Sequence, residues 1–401
     1  MAYLRDFNMA AFWAGVTGFV WYALGAVPLQ VAVADQLDLT PAESSSWMFI
    51  VWFGGAIASI GLSLCYRQPI PITWSMPGLI YLGTLAGQYT IAEMIGANLV
   101  AGAAIIALGL IGVGSRIMAW LPLPIVMGMF AGSILSYVTR MMSATVSDVA
   151  VAGATVAAFL VGRAVKNPKV PPLGLAMIGG AIAIYSTGAF ANTPIQWAFS
   201  TARLAEVSFS VPAIVAIALP MLILAMGLGN VQGMGFLIAQ GYRVPVASST
   251  VVVGVNSVVN ALFGGHPAII ARTGVAIFAA PEAGPQSGRY WANLVAAGLT
   301  ILLAVAAPPV ISVIGVLPRT YLFALAGLAV LSALQDALEK AFGGTLRFAA
   351  LIAFGVAATP FSVAGITSAF WAVVAGLIAA LLVERPDLLA VWRAPQRSQS
   401  G

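Results

Sequence analysis

Charge is the scarcest commodity in this chain. Only 7% of its 401 residues are Asp, Glu, Lys or Arg, and 61% are hydrophobic, with a mean hydropathy of +1.00, whereas soluble domains carry about 25% charged residues. A water-soluble core is excluded, and an integral membrane protein is implied. Strict two-residue alternation is rare and the apolar runs are long, so the spans read as helices and not as barrel strands. Cysteine and histidine occur once each, as Cys65 and His266. A single cysteine excludes an internal disulfide, and Cys65 reads as a small buried hydrophobe in a helix. With one histidine and scattered acids there is no metal-ligand set, and no metal or other cofactor is expected. There is no phosphate loop to drive ATP-linked transport, and no Gly-x-Ser-x-Gly elbow or other coherent catalytic set, so no enzyme is expected.

What the chain does have is a series of apolar spans. They fall at about 9–33, 45–66, 76–87, 92–113, 121–139, 145–162, 171–189, 211–240, 247–263, 273–281, 289–307, 318–335, 346–358 and 362–383. The first reads as a retained helix, because no small-residue cleavage site follows it. The third and tenth are too short to cross. At about 1.5 Å per residue, Met76 to Gly87 covers roughly half of a 30 Å hydrocarbon core. The rest of each crossing must be the extended, proline-bearing stretch before it, Gln68-Pro69-Ile70-Pro71-Ile72-Thr73-Trp74-Ser75 in one case and Gly264-Gly265-His266-Pro267-Ala268-Ile269-Ile270-Ala271 in the other. Such backbone is tolerated at membrane depth only under protein cover or beside a wet cavity.

With both broken segments counted as crossings and the N-terminus inside, Arg5, Arg67, Arg116, Arg163, Lys166, Lys169, Arg243, Arg289, Lys340, Arg347, Arg385, Arg393 and Arg397 all fall on the cytoplasmic side. Arg140, Arg203 and Arg319 fall outside. The formal net charge of +5 therefore reflects cytoplasmic loops, and no nucleic-acid partner is expected. Both termini are placed in the cytoplasm by the same asymmetry.

The halves match in order: Gly25-Ala26-Val27-Pro28-Leu29-Gln30 with Gly227-Leu228-Gly229-Asn230-Val231-Gln232, Arg67-Gln68-Pro69 with Gly265-His266-Pro267, and Leu121-Pro122 with Leu317-Pro318. Seven crossings per half give the halves opposite orientations, the plan of an inverted-repeat transporter. The expected divisions are a first repeat over 1–189, an extracytoplasmic linker over 190–210, a second repeat over 211–385 and a disordered cytoplasmic tail over 386–401.

At this point the residues carry a family likeness. The stretches Gln68-Pro69-Ile70-Pro71-Ile72-Thr73-Trp74-Ser75-Met76-Pro77-Gly78, Gly227-Leu228-Gly229-Asn230-Val231-Gln232-Gly233 and Gly264-Gly265-His266-Pro267 resemble the bacterial benzoate transporter (BenE) family, over nearly the whole chain. The resemblance implies an all-α protein of fourteen transmembrane segments in a seven-plus-seven inverted repeat, with segments 3 and 10 discontinuous. It implies a core domain (segments 1–4 and 8–11), a gate domain (5–7 and 12–14) and a site between segments 3 and 10. It also implies proton-coupled uptake of benzoate, with H+ as coupling ion. A homodimer is compatible with this plan, and nothing in the sequence specifies one.

Two half-helices starting near Ser75 and Thr273 would aim their first N–H groups into the cavity and favour an anion. Arg272, at the second start, is the candidate carboxylate partner, since an arginine at this depth is costly; its rival role is to cap backbone carbonyls or reach an interface. Ser75, Met76, Thr273 and Gly274 surround those starts. Gln30, Asn230 and Gln232 can orient a carboxylate or satisfy unwound backbone without adding charge. Related nucleobase transporters place a carboxylate on the eighth segment, where this chain offers Asn230 and Gln232, a departure that suits an anionic substrate. The apolar wall for an aromatic acid is expected from Phe12, Trp13, Phe19, Trp21, Tyr22 and Trp74, with Tyr22 and Trp74 nearest the breaks. His266 and Glu282 are the candidate proton carriers, against the plainer roles of a turn residue and a solvated acid. Glu93, Asp336 and Glu339 read as solvated or paired span-end acids, and Asn256 and Asn260 as interhelical hydrogen-bonders on one helix face. Sulfate, bicarbonate or dicarboxylate transport on the same fold, or an anion channel, are the alternatives.

Overall fold

The computed structural model describes residues 3–112, 122–165, 172–190 and 197–397. Arg116, Leu121, Lys166, Lys169, residues 191–196 of the predicted linker and residues 398–401 of the predicted tail lie outside the described residues.

Local chemistry sets the first helix starts. The Asn8 side chain accepts from Ala11 N–H at the head of α1 (Met9–Gln36). Thr40 with Glu43, and Thr90 with Glu93, form reciprocal capping boxes on α2 (Pro41–Tyr66) and α4 (Ile91–Ile111). Between these two the chain runs extended through β1 (Ile72–Trp74) into the short α3 (Met76–Thr84). Then follow α5 (Leu123–Ser147), α6 (Val149–Val165), α7 (Pro172–Thr187), α8 (Val211–Ala239) and α9 (Val246–Leu262). A second extended stretch holds β2 (Ala268–Ile270) and leads into α10 (Arg272–Phe278). The rest is α11 (Tyr290–Val305), α12 (Ala307–Gly315), α13 (Arg319–Phe342), α14 (Arg347–Ala358), a hairpin of β3 (Ser362–Val363) and β4 (Ile366–Thr367), α15 (Ser368–Val383) and α16 (Arg385–Arg397). Among the described residues α1, α2, α4, α5, α8, the stretch Gln286–Val305 and α13 are long and apolar enough to cross a membrane, and α6, α7, α9 and α14 are shorter apolar helices. The chain is a mostly helical, multi-pass membrane protein.

The helices pack in two groups. In one, α1, α2, α4, α8, α9, α10 and α11 surround the paired strands; in the other, α5 is flanked by α13 and α14, with α6, α7 and α15 outside. Close approach within the first group needs small residues: at the α4–α9 crossing, a Cβ on Gly254 would stand 2.6 Å from the Ile106 nitrogen. The groups meet chiefly where α1 faces α13 and α3 faces α5. The described part of the 190–210 connection crosses one end of the first group, with Arg203 N–H donating to the Ser46 hydroxyl, Ala205 N–H to Leu262 and Ser208 N–H to Ala92.

Several expectations need correcting. The tail is helical over Arg385–Arg397: α16 turns 107° from α15 and lays Leu388, Val391 and Trp392, at helical spacing, against the main hydrophobic cluster. Cys65 is exposed, because the last turn of α2 faces outward. The fifth span runs on to Ser147 and the sixth begins only at Val149, because Asp148 caps the new turn through Val151 N–H at 3.0 Å. The twelfth span extends through Asp336 and Lys340 to Phe342. Residues 362–367 form a hairpin through left-handed Ala364 and Gly365 (φ 53° and 73°), so the last helix starts at Ser368. The helix α12, between the expected spans 289–307 and 318–335, was not anticipated; Pro308 and Pro309 fall in its first turn, where proline is tolerated.

Candidate functional site

The two extended stretches find each other. β1 and β2 pair antiparallel with Ile72 opposite Ile270, Thr73 opposite Ile269 and Trp74 opposite Ala268. The pairing continues at both ends, with Ser75 N–H donating to Pro267 and Ala271 N–H to Pro71, each at 2.9 Å. Outward-facing backbone groups are met by side chains: Ser59 of α2 accepts from Ile72 N–H at 2.7 Å, Ser257 of α9 from Ala268 N–H at 2.9 Å, and Asn230 of α8 from Ile270 N–H at 2.9 Å. This answers how irregular backbone survives at membrane depth: protein groups satisfy it.

The two half-helices that leave this crossing are not equivalent. At the head of α3, Pro77 has no N–H and the Ser75 hydroxyl takes Gly78 N–H at 3.1 Å, so little is left for a ligand. At the head of α10, Ala271 offers no side-chain cap, leaving the N–H groups of Arg272, Thr273 and Gly274 without the usual partner. Because α10 spans only Arg272–Phe278, its dipole is short, and the Arg272 charge is the larger electrostatic feature.

Arg272 is half exposed. Its Nη1 donates to Gln232 Oε1 at 3.0 Å and lies 4.0 Å from Asp336 Oδ1, while the other oxygen of that carboxylate, Oδ2, sits 2.7 Å from Lys340 Nζ. Ion pairs this open to water contribute up to about 1 kcal/mol, so Arg272 is held loosely and can change partners. Asp336 was read from sequence as a span-end acid; only the fold sets α13 beside α10.

Tyr22 and Trp74 meet at the break, their rings edge to face at 6.1 Å. Trp52, which the sequence did not single out, stacks on Trp74 at 4.0 Å and donates from Nε1 to Gln30 Oε1 at 2.8 Å. The Tyr22 hydroxyl abuts Gly274, where a Cβ would stand 1.7 Å from it. Three buried groups in this cluster, Tyr22 Oη, Trp74 Nε1 and Gln30 Nε2, have no protein partner. Of the other aromatics in the expected wall, Trp13 and Trp21 are exposed on the outside of α1, Phe12 packs on Trp13, and Phe19 joins the cluster of Phe278 that also takes Tyr22.

His266 is fully buried in the arm before β2. Its Nδ1 accepts from Trp47 Nε1–H at 3.0 Å, which places the ring proton on Nε2, and its carbonyl accepts from Asn260 Nδ2 at 3.1 Å. Glu282 is exposed in a short turn after α10. Asn256 and Asn260 both face Gly54 of α2. Among the described residues no group of three or more His, Cys, Asp or Glu is placed to hold a metal ion.

Beside the crossing, Tyr22, Trp52, Thr73, Trp74, Asn293 and Thr300 line a cleft of about 10 Å³, room for about one water. A second cavity, of about 390 Å³, lies between α1 and α13 and is lined by Ala23, Val27, Val310, Tyr321 and Leu325 among others. It holds no charged side chain and none of the candidate site residues, so the chemistry stays with Arg272.

A multi-pass helical protein whose two broken segments cross at an arginine is built to pass a solute and not to transform one. The chain belongs to the benzoate membrane transport protein family (BenE), whose profile matches residues 5–382. It is 30% identical over 370 residues to the inner membrane protein YdcO of Escherichia coli, covering 92% of this chain and 93% of that one. It is 23% identical to the benzoate membrane transport protein of Acinetobacter baylyi, covering 95% and 97%. In fold it is similar to the transmembrane domain of the cyanobacterial bicarbonate transporter BicA, with TM-score 0.59, 16% identity and coverage of 93% and 97%. The murine anion transporter Slc26a9 in its inward-facing state gives TM-score 0.60 and 13% identity, covering 96% of this chain and 70% of that one.

Proposed function

We propose that the protein carries benzoate or a similar aromatic carboxylate into a bacterial cell across the inner membrane, together with protons, by alternating access. The reading takes residues 1–189 and 211–385 as two seven-segment inverted repeats making fourteen segments, joined outside by 190–210, with both termini in the cytoplasm. The paired contacts support it: Ser75 on Pro267 mirrors Ala271 on Pro71, and Ser59 on Ile72 mirrors Ser257 on Ala268. The first helix group then serves as core and the second as gate.

The observation that carries the substrate class is Arg272, loosely held at an uncapped helix start beside Thr273 and Gly274. A guanidinium offers a carboxylate two parallel hydrogen bonds. Gln232 positions that guanidinium, and the reading takes the aromatic wall from Tyr22, whose hydroxyl abuts Gly274, and from Trp74 edge to face with it. Asn230 keeps its oxygen on the β2 backbone, which makes it a support for the site and not a contact. Ser75 and Met76 shape the opposite, self-capped start. Replacing Arg272 with Ala should abolish saturable uptake of labelled benzoate by proteoliposomes while the protein still folds; unchanged uptake would refute the assignment.

The likeness in fold to a bicarbonate transporter motivates a second reading, a compact inorganic anion such as bicarbonate or sulfate. Competition separates the two. Excess sulfate or bicarbonate should leave benzoate uptake intact, whereas ring-bearing carboxylates should suppress it. A channel on this fold would show flux that neither saturates nor responds to an imposed pH gradient.

A further inference from the structure

We infer that the cavity between α1 and α13 holds one acyl chain of a membrane phospholipid, wedged between the two helix groups. The site is separate from the strand crossing and does not hold the transported solute. On one side it is walled by Ala23, Val27 and Pro28 of α1 and Leu303 of α11, which belong to the first helix group. On the other side stand Met177 of α7 and Leu325 of α13, which belong to the second. The short helix α12, which links α11 to α13, adds Val310 and Val313.

Polarity, surroundings and depth together choose the occupant. At about 390 Å³ the cavity has room for about thirteen waters at about 30 Å³ each. A buried water needs polar partners, and the one polar side chain in the lining, Tyr321, has its hydroxyl on the Met177 carbonyl at 2.8 Å. Water and ions are therefore poorly served there. The floor, with Val27, Tyr321, Leu322 and Leu325, is buried, whereas Val313 is 47% exposed. Next to the lining, large apolar side chains stand exposed on three helices: Val20 and Trp21 on α1, Leu302 on α11 and Ile178 on α7. In a membrane protein such a surface faces hydrocarbon. Ala23 to Pro28 lie just past the midpoint of the 28-residue α1, and Tyr321 lies in the first turn of α13. The cavity thus runs from near one end of the bundle toward its middle, the course of an acyl chain entering from one leaflet. Left empty, its walls would forfeit their dispersion contacts, which a chain restores. Arg319, half a turn before Tyr321, is already paired with Asp35 at 3.1 Å, so the pair carries no net charge to select an anionic headgroup, and a zwitterionic lipid serves.

Because the chain touches both helix groups, it yields when they move against each other, as a fixed side chain would not. The test is lipid retention by the full-length protein in mild detergent, counted by native mass spectrometry. After the loosely held lipid has been washed away, the wild type should keep one phospholipid. Ala23→Phe and Val310→Phe, which put a ring into the cavity, should lose it. Leu302→Phe, on the exposed surface beside the cavity, should keep it. Added back to delipidated protein, phosphatidylethanolamine should raise the midpoint of thermal unfolding of the wild type and of Leu302→Phe, since a ligand of the folded state stabilises it. It should leave the two filled variants unmoved, and phosphatidylglycerol should act no more strongly than phosphatidylethanolamine. Equal retention by filled variants and wild type would overturn the proposal. So would a delipidated wild type that gains nothing from added lipid, a measurement that needs no variant to fold. A strong preference for phosphatidylglycerol would place the contact at a headgroup and overturn the choice of a hydrocarbon chain. In proteoliposomes the filled variants should take up benzoate several-fold more slowly with KM unchanged. That arm alone rests on the preceding proposal: a wild type that takes up no benzoate counts against the substrate and leaves the lipid count standing.

Discussion

Gly274 is the position where the packing of the site can be weighed most directly. An alanine there would put its Cβ 1.7 Å from the Tyr22 hydroxyl and 3.0 Å from both Tyr22 Cζ and Pro71 Cγ. The Tyr22 ring cannot simply retreat, being held edge to face by Trp74 at 6.1 Å and Phe278 at 6.2 Å. Two effects oppose each other. Alanine is favoured over glycine in a helix by up to about 1 kcal/mol, less in the first turn, whereas overpacking a tight site costs about 1–3 kcal/mol. The steric cost should win, and Gly274→Ala should destabilise the protein by about 1–2 kcal/mol. Tyr22→Phe removes the colliding atom, whose hydroxyl has no protein partner to lose, so on that background the alanine should be near neutral. Reversible chemical unfolding of the wild type, both single variants and the double variant in one detergent closes the cycle, with an expected coupling of about 1–2 kcal/mol. Additivity to within about 0.5 kcal/mol would refute the contact.

Two further predictions follow from the strand crossing. Ser59→Ala and Ser257→Ala each leave a buried strand N–H, of Ile72 or Ala268, without its acceptor; each should cost about 1–3 kcal/mol in the same unfolding assay and accelerate amide exchange at those residues. Trp47→Phe keeps an aromatic ring but removes the donor to His266 Nδ1; it should destabilise by about 1–2 kcal/mol and leave uptake driven by a pH gradient unchanged, and loss of that coupling in the folded variant would return His266 to the role of proton carrier.

The placement of Arg272, Tyr22 and Trp74 near one crossing was legible from Pro69, Pro71, Pro267 and the short runs after them, because a half-length helix leaves the other half of a crossing to extended backbone. The unequal helix starts were half legible: Pro77 and Ser75 spell a capped start for α3, but that Ala271 leaves α10 open mattered only once Arg272 was seen to stand beside it. Nothing local marked Trp52, Ser59 or Ser257, which earn their roles by reaching strands that are close in space. The α16 helix was missed because its polar residues outweigh Leu388, Val391 and Trp392 until a hydrophobic surface is there to receive them.

What the sequence determined by itself was the medium, the broken crossings and the family, since hydrophobicity, proline and motif order are properties of a line of residues. What only the tertiary structure decided was partnership: Arg272 with Gln232 and Asp336, Tyr22 with Gly274, His266 with Trp47. A helix turns about 100° per residue, so the direction of a side chain, and which distant helix it meets, is settled only when the helices pack.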